Sequence, residues 1–488
     1  MEIIIILIYG FFLTFILFYS LIQIHLVILY LRKDKKKDIE SSDIQEQLPF
    51  VTIQLPLYNE SYVVERLIRK VAEIDYPKDR FEIQILDDSN DETTQIAEAT
   101  IQELKDTNVS IDLVRRPDRK GFKAGALAYG MGIAKGEFLA IFDADFLPEK
   151  DFLKKTIHYF KNKKVGVVQT RWTHINEDYS LLTKLQAFGL DAHFTIEQGG
   201  RNFGGHFINF NGTAGVWRRQ CIDEAGGWSS DTLTEDLDLS YRAQLKGWEF
   251  QYLENVESPA ELPAAMNALK NQQFRWTKGA AECMRKNLFK VLKDSKLSIE
   301  TKLHAIFHLM NSFIFICVFS IGVLSVPMFY IKNNFPQYEL LFKYGTGFVI
   351  CLLFLMIFYW VALRSLSGGF GATFKNFIWK FPAFISVSMG MSLHNGIAVL
   401  EGYIGKKSPF IRTPKFNLKD AKDKWHGNKY LASSISVVTI LEGVLFLYFL
   451  SAIGLSFHYQ SFGMLPLFMM LTFGFGYVFY YSIFHSMK

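Results

Sequence analysis

Ile141-Phe142-Asp143-Ala144-Asp145-Phe146 decides how the rest of the chain is read. Residues 138–142 are wholly apolar and suit a short buried strand. That strand runs into two carboxylates one residue apart, and Leu147-Pro148 then ends it. Carboxylates at the carboxyl end of a strand stand where α/β sheets bind ligands. Two hard oxygen donors suit Mg²⁺ or Mn²⁺, ions that usually complete their shells with substrate phosphates. A lone Asp-x-Asp is equally an ordinary solvated turn, so the reading rests on what surrounds it.

Outward from that strand, short apolar segments at 51–55, 82–86, 111–114 and 165–170 alternate with helical patterns at 61–74 and 92–105. The alternation predicts βαβ units, and therefore a mostly parallel sheet with helices on both faces. The first strand ends in Pro56-Leu57-Tyr58-Asn59-Glu60, which lacks the glycine fingerprint of a dinucleotide fold.

Half of the 488 residues are apolar and 16% are aromatic, and the apolar residues pile up at the two ends. Residues 3–31 exceed the ~20 needed to span a bilayer. No basic region precedes them and no small-residue cleavage site follows, so they read as an anchor rather than a signal peptide. The run Arg32-Lys33-Asp34-Lys35-Lys36-Lys37 puts their carboxyl end in the cytoplasm. Two further pairs of spans follow, 307–331 with 344–363 and 435–457 with 462–484. Residues 377–403 are apolar enough to cross, but Pro382, Gly390, His394, Asn395 and Gly396 interrupt them. Crossing would also put the basic stretch 406–429 outside, against the positive-inside rule. We therefore expect an interfacial segment there and five spans in all.

The expected layout is a transmembrane helix at 1–31, a cytoplasmic linker at 32–48 and a soluble domain at 49–303. Two transmembrane helices at 304–364, an interfacial segment at 365–403, a cytoplasmic loop at 404–434 and two more transmembrane helices at 435–488 complete it. The net charge of +5 is too small to point to nucleic acid, and no nucleic-acid motif is present. Cys221, Cys283, Cys317 and Cys351 form no Cys-x-x-Cys, so neither a zinc framework nor a disulfide framework is expected. His304 and His308 stand four apart on a helical pattern with no third ligand visible nearby, and they read as interfacial residues.

Within the soluble domain, Asp87-Asp88-Ser89 ends the second strand, on the sheet edge that carries Asp143. A carboxylate there can accept the imide N–H of a uracil or the N–H donors of a guanine, and Ser89 or Asp91 can also cap the following helix. The stretch from Lys120 through Gly121 to Lys123 and Leu127 is a basic, glycine-containing loop entering a helix, a geometry suited to a diphosphate or to a plain solvated turn. Thr234-Glu235-Asp236-Leu237-Asp238 crowds three acidic residues ahead of a helix at 239–246. Capping explains one of them. Repulsion among the three should raise the pKa of at least one, which makes a candidate general base. Gln272-Gln273-Phe274-Arg275-Trp276 offers a guanidinium for phosphate and an indole face for a sugar ring, or else membrane-interface anchors. Phe207 and Phe210 bracket Asn209, and Asn211, Gly212 and Thr213 follow, suiting either a sugar groove or a turn over two core rings.

The order Asp88, Asp143-x-Asp145, Thr-Glu-Asp236, Gln272-x-x-Arg275-Trp276 resembles the processive family 2 membrane glycosyltransferases of the cellulose-synthase superfamily. It is most similar there to the cellulose-synthase-like β-mannan and β-glucan synthases. Residues 210–218, beginning Phe210-Asn211-Gly212-Thr213, resemble the acceptor segment of that family, and Gln169-Thr170-Arg171-Trp172 and Gly226-Gly227-Trp228 are similar too. True cellulose synthases have Phe-Phe-Cys-Gly-Ser at the acceptor position, and hyaluronan synthases have Gly-Asp-Asp-Arg where this chain has Thr234-Glu235-Asp236. Phe410-Ile411-Arg412-Thr413-Pro414-Lys415 resembles the bacterial gating loop Phe-x-Val-Thr-x-Lys, with Arg412 in place of Val.

The resemblance implies an α/β GT-A domain, Rossmann-like with a mostly parallel sheet, on the cytoplasmic side of an α-helical transmembrane bundle. It implies Asp88 at the nucleobase, Lys123 near the diphosphate, and Asp143 and Asp145 at the sugar-nucleotide and its Mg²⁺ or Mn²⁺. Asp236, with Glu235 beside it, becomes the base on the acceptor hydroxyl. Gln272 and Arg275 serve the donor, and Arg275 holds its leaving diphosphate. Trp276, Asn211, Gly212, Thr213 and Trp172 serve the acceptor, and Phe410, Arg412, Thr413 and Lys415 close over the donor. The implied activity is inverting, metal-dependent β-glycosyl transfer from GDP-mannose or UDP-glucose to a growing polysaccharide of β-1,4-mannan, glucomannan or glucan type, with translocation of the polymer. Rival readings are transfer to a lipid acceptor, as in ceramide glucosyltransferases, and an inactive transport or scaffold homologue. The second would favour loss of Asp145 or Asp236, and both are present.

Overall fold

The structure, a computed structural model, describes residues 1–32, 48–409, 411–418, 423 and 435–486. Most of the expected linker at 32–48, the gating-loop residue Phe410 and most of 419–434 therefore lie outside the described residues.

Seven strands form one sheet: β1 (Val51–Leu57), β2 (Phe81–Asp87), β3 (Ser110–Val114), β4 (Phe138–Ile141), β5 (Val165–His174), β6 (Gly215–Arg218) and β7 (Glu249–Ala260). Their order is β3-β2-β1-β4-β6-β5-β7. The first four are parallel, as the βαβ alternation predicts, while β6 lies antiparallel between β4 and β5. β1 and β4 are buried on both faces, which is why they read as apolar runs rather than alternating ones. One core layer packs Leu67, Ile68 and Phe152 against one face of the sheet; the other packs Leu127, Trp217 and Leu239 against the opposite face.

Register explains the functional edge. Leu57 pairs with Asp87, and Gln54 pairs with Ile141, so the residues just past β1, β2 and β4 emerge together. Because β6 is antiparallel, the pairing of Ile141 with Gly215 brings the residues before Gly215 to that same edge. Asn211, Gly212 and Thr213 thus meet Asp143 through topology, not through sequence proximity.

Five described helices are long and apolar enough to cross a membrane: Glu2–Leu31, Phe313–Asn334, Pro336–Leu366, Val437–His458 and Leu465–Phe484. Residues expected at the start of the second span instead form a separate helix, Ile299–Leu309, on which Ala305 and Leu309 are buried beside Leu303, which is exposed. The segment expected at the interface is a pair of helices, Phe370–Gly390 and Ser392–Ile404, bent by 52°. The break follows Gly390, whose Cα packs so tightly on Gly474 that an added Cβ would lie 2.2 Å from the Gly474 carbonyl oxygen. Small residues permit such backbone contact between apolar helices.

Candidate active site

The Asp88 carboxylate leaves the end of β2 and is held by Arg116, whose Nε and Nη2 donate at 2.7 and 2.5 Å. Its neighbour Asp87 points inward and accepts from Thr94 Oγ1 at 2.6 Å, so of the two only Asp88 faces the cleft. Tyr58 follows β1, and the Arg119 guanidinium lies 3.3 Å from its ring centroid, a cation–π contact on the cleft wall.

Across the edge, the Asp143 backbone N–H donates to Thr213 Oγ1 at 2.8 Å, and its Oδ1 accepts from Lys123 Nζ at 2.6 Å. Lys123 also donates to the Gly212 carbonyl at 2.9 Å. Burial draws this ammonium down, but Asp143, Glu235 and Asp236 outweigh it and hold its pKa above the usual value. Asp145 accepts from Lys415, and Arg275 Nη2 donates to Thr413 Oγ1 at 2.9 Å. Arg412 pairs with Glu60 at 3.0 Å and donates to the carbonyls of Tyr58 and Asn59. The segment Arg412–Lys415 thus lies over the ends of β1 and β4. Where the family motif has Val, this chain places a guanidinium on the strand end. Burial, against the pull of Arg412 and Lys415, pushes Glu60 up to about 8.

The helix expected at 239–246 begins four residues earlier, as Glu235–Leu245, so its three acidic residues occupy the first helical turn. They divide by environment. Asp238 is fully buried and accepts from Arg242, Lys286 and Asn287 at 2.8, 2.9 and 3.0 Å, which makes it structural. Glu235 is pushed up by burial against the attraction of Lys123. Asp236 is pushed up to about 7, by burial first and the Glu235 charge second, although Lys123 and the Leu237 N–H favour its anion. Gly212 sits opposite it: its φ is +81°, and an added Cβ would stand 2.9 Å from Asp236 Oδ2. Asp236 therefore lies one backbone thickness from the Lys123–Asp143 pair.

Two spaces meet here. The donor-side cleft, about 110 Å³, is lined by Asp88, Lys123, Asp143, Asp145, Arg275 and Arg412, among others. A cavity of about 360 Å³ is lined by Asp236, Asn211, Trp172 and Trp276, and it reaches Phe315 at the membrane helices. The helix Met266–Lys293 passes between them. Arg275 enters the cleft, whereas Gln272 and Trp276, one turn apart, line a neighbouring apolar cavity of about 200 Å³. Gln272 is thus placed with Trp276 rather than with the donor-side charges. Trp172 packs edge-on against Phe146 at 5.0 Å, and its buried indole N–H has no partner among the described residues. The side-chain N–H₂ of Asn211 is likewise buried without one. Both are donors that a polar ligand in the cavity can satisfy.

Sequence reasoning missed Glu60, Arg116, Arg119 and Tyr58. Position carried a signal for each, since Tyr58 and Glu60 follow β1, and Arg116 and Arg119 follow β3, at the edge already recognised.

The family model described as glycosyltransferase-like family 2 matches residues 49–279. A probable glucomannan 4-beta-mannosyltransferase of Arabidopsis thaliana is 32% identical over 382 residues, covering 72% of this chain and 68% of that protein. The chain belongs to glycosyltransferase family 2. A second relative, a probable glucomannan 4-beta-mannosyltransferase of Oryza sativa subsp. japonica, is 44% identical across 55% of this chain. The match spans about half of that protein, 49% of its length. Among solved structures, a mannosyltransferase from Pyrobaculum calidifontis, in complex with GDP-mannose and Mn²⁺, superposes with a TM-score of 0.51 at 18% identity. It covers 80% of this chain and all of that one, a likeness of fold. The sheet is accordingly GT-A-like, accompanied by several apolar helices that could span a membrane.

Proposed function

We propose that the chain is an inverting β-glycosyltransferase that extends a β-1,4-linked mannan or glucomannan from GDP-mannose at a membrane surface. The observation that carries the reading is Asp236, a carboxylate with a pKa raised to about 7. It faces the cationic donor cleft across Gly212 and stands at the head of a cavity that leads to the membrane helices. Inversion needs a single in-line displacement. A base takes the acceptor hydroxyl proton while the sugar–phosphate bond breaks, and cations hold the departing diphosphate.

In this reading Asp236 takes the proton, and Arg275 and Lys123 face the diphosphate. Asp88, fixed by Arg116, meets the base, with Tyr58 beside it. Trp276 and Asn211 hold the acceptor sugar. Asp143 and Asp145 fit a divalent cation: their donor set is all oxygen, and two lysine ammoniums already stand against it. Mg²⁺ or Mn²⁺ bound there would neutralise charge on the nucleotide diphosphate. The Pyrobaculum mannosyltransferase binds GDP-mannose and Mn²⁺, which supports that choice of donor and ion, and the glucomannan synthases support the product. We place the domain and the Arg412–Lys415 segment on the cytoplasmic side, where nucleotide-sugars are found, and residues 370–404 at the interface. The polymer path would then run from Trp276 toward Phe315.

The test is incubation of the purified membrane protein with GDP-mannose, UDP-glucose or UDP-N-acetylglucosamine, followed by linkage-specific hydrolases. The expected product comes from GDP-mannose, is cut by endo-β-1,4-mannanase, disappears in chelator and returns with Mg²⁺ or Mn²⁺. A product that extracts into organic solvent with one sugar attached would establish the lipid-acceptor reading instead. Full activity of Asp145→Asn in chelator would remove the metal role.

A further inference from the structure

His304, read from the sequence as lacking a third ligand, acquires two neighbours from distant parts of the chain. It lies on Ile299–Leu309 and is 2% exposed. Its Nε2 stands 2.9 Å from Nδ1 of His25, on the first membrane-length helix, 279 residues away. Glu300, one turn before His304, places Oε1 3.7 Å from His25 Nε2. One ligand atom from each of His25, Glu300 and His304 falls within 4.8 Å of the others.

A second observation comes from the catalytic domain. His206, in the turn after Gly205, stacks on the His304 ring with centroids 4.1 Å apart. Its side chain is 3% exposed, and its Nε2 stands 3.4 Å from Glu300 Oε1. Its other nitrogen is engaged by Thr301 Oγ1 at 3.1 Å, which fixes the ring with Nε2 toward the cluster.

We propose that His25, His304 and Glu300 hold a divalent transition ion of the zinc type. Two imidazoles and one carboxylate are donors that Zn²⁺ takes with water in the fourth tetrahedral position. Zn–N bonds of about 2.0–2.1 Å set ligand nitrogens about 3.3 Å apart, so the His25–His304 pair needs to open by only a few tenths of an ångström. The nearby Arg201 is opposed by Glu197, 3.6 Å away. None of these three residues lines the donor cleft or either cavity, so the ion stands apart from the transfer centre. The ion ties the first membrane-length helix to Ile299–Leu309, whose His304 ring stacks on His206 of the catalytic domain.

The experiment uses the full chain in detergent, carrying Asp143→Asn and Asp145→Asn so that the donor-side carboxylates contribute no site. After chelator stripping, Co²⁺ is titrated and the visible spectrum recorded. The expected result is the intense d–d absorption of a four-coordinate ion, saturating at one per chain and displaced by Zn²⁺. His25→Gln and Glu300→Gln, both at partly exposed positions and checked for folding by size exclusion, should each weaken binding by at least about tenfold. No saturable cobalt binding, a weak six-coordinate spectrum, or unchanged affinity in both variants would overturn the proposal.

Discussion

Asp236 is the proposed base, and its surroundings determine the pH at which it can act. Its folded pKa is about 7, well above the 3.8 of a free aspartate. A raised carboxylate keeps its proton at pH 6 and gives it up as the pH climbs past that value, so the basic form accumulates from about pH 7 upward. We expect kcat/KM for mannosyl transfer to rise with pH through this range and then level off. A profile already flat from about pH 5 would mean that another group takes the proton. Gly212 makes the second residue-scale prediction. Alanine there would adopt a left-handed φ, and its Cβ would press on Asp236 Oδ2. A displacement of the base by a fraction of an ångström should cut kcat by about 10²-fold with little change in nucleotide affinity. Wild-type turnover in Gly212→Ala would show that the close approach is irrelevant.

Among elements, the helix Met266–Lys293 matters most, because it separates the donor cleft from the cavity and is bolted to the membrane helices. Lys270 Nζ meets Glu442 Oε2 at 2.6 Å, and Lys278 meets Glu401 at 3.1 Å. Glu442 lies in the span Val437–His458 and is fully buried, as a carboxylate at membrane depth should be. Removing one partner leaves the other charge stranded, at a cost of about 3–5 kcal/mol, whereas replacing both with apolar residues is close to neutral. Thermal unfolding in detergent should therefore show Glu442→Ala strongly destabilised and Lys270→Met/Glu442→Leu largely restored. Additive losses in the double variant would deny the coupling.

These elements also mark what the sequence could convey. Asp143, Asp145 and Asp88 were legible because a strand end is a local pattern. The acidic turn was legible as a group, but the division of labour within it was not. Asp238 is held by hydrogen bonds from Lys286 and Asn287, which lie 48 and 49 residues downstream. Asn211 and Thr213 needed the antiparallel insertion of β6 to reach the site, and apolar periodicity does not encode strand order. Gln272 and Arg275 share one motif, yet helical geometry sends them into different spaces. Glu60 and Arg412 reveal their pairing only once the chain folds back across most of its length, bringing the Arg412–Lys415 segment to the end of β1.

For the whole molecule, we propose a transfer centre on the cytoplasmic side joined to a polymer path into the bundle, and topology tests the first half. Ser408 is tied to Lys278 and Glu401, so the exposed neighbour Lys407 is the better reporter. A Cys at position 407, in a background lacking the native cysteines, should react with an impermeant maleimide only after the cells are permeabilised. Labelling from outside would place the Arg412–Lys415 segment on the wrong face.

In the mechanism we propose, one carboxylate, Asp236, performs the chemistry beside a donor site that it does not itself build. That division is tested most directly with Asp236→Asn, by measuring equilibrium GDP-mannose binding and mannosyl turnover on a single preparation. We expect a turnover loss of about 10²–10⁴-fold, the usual worth of a general base, with nucleotide affinity nearly unchanged because Asp88, Lys123 and Arg275 remain. Parallel loss of binding and turnover, or retention of both, would contradict it.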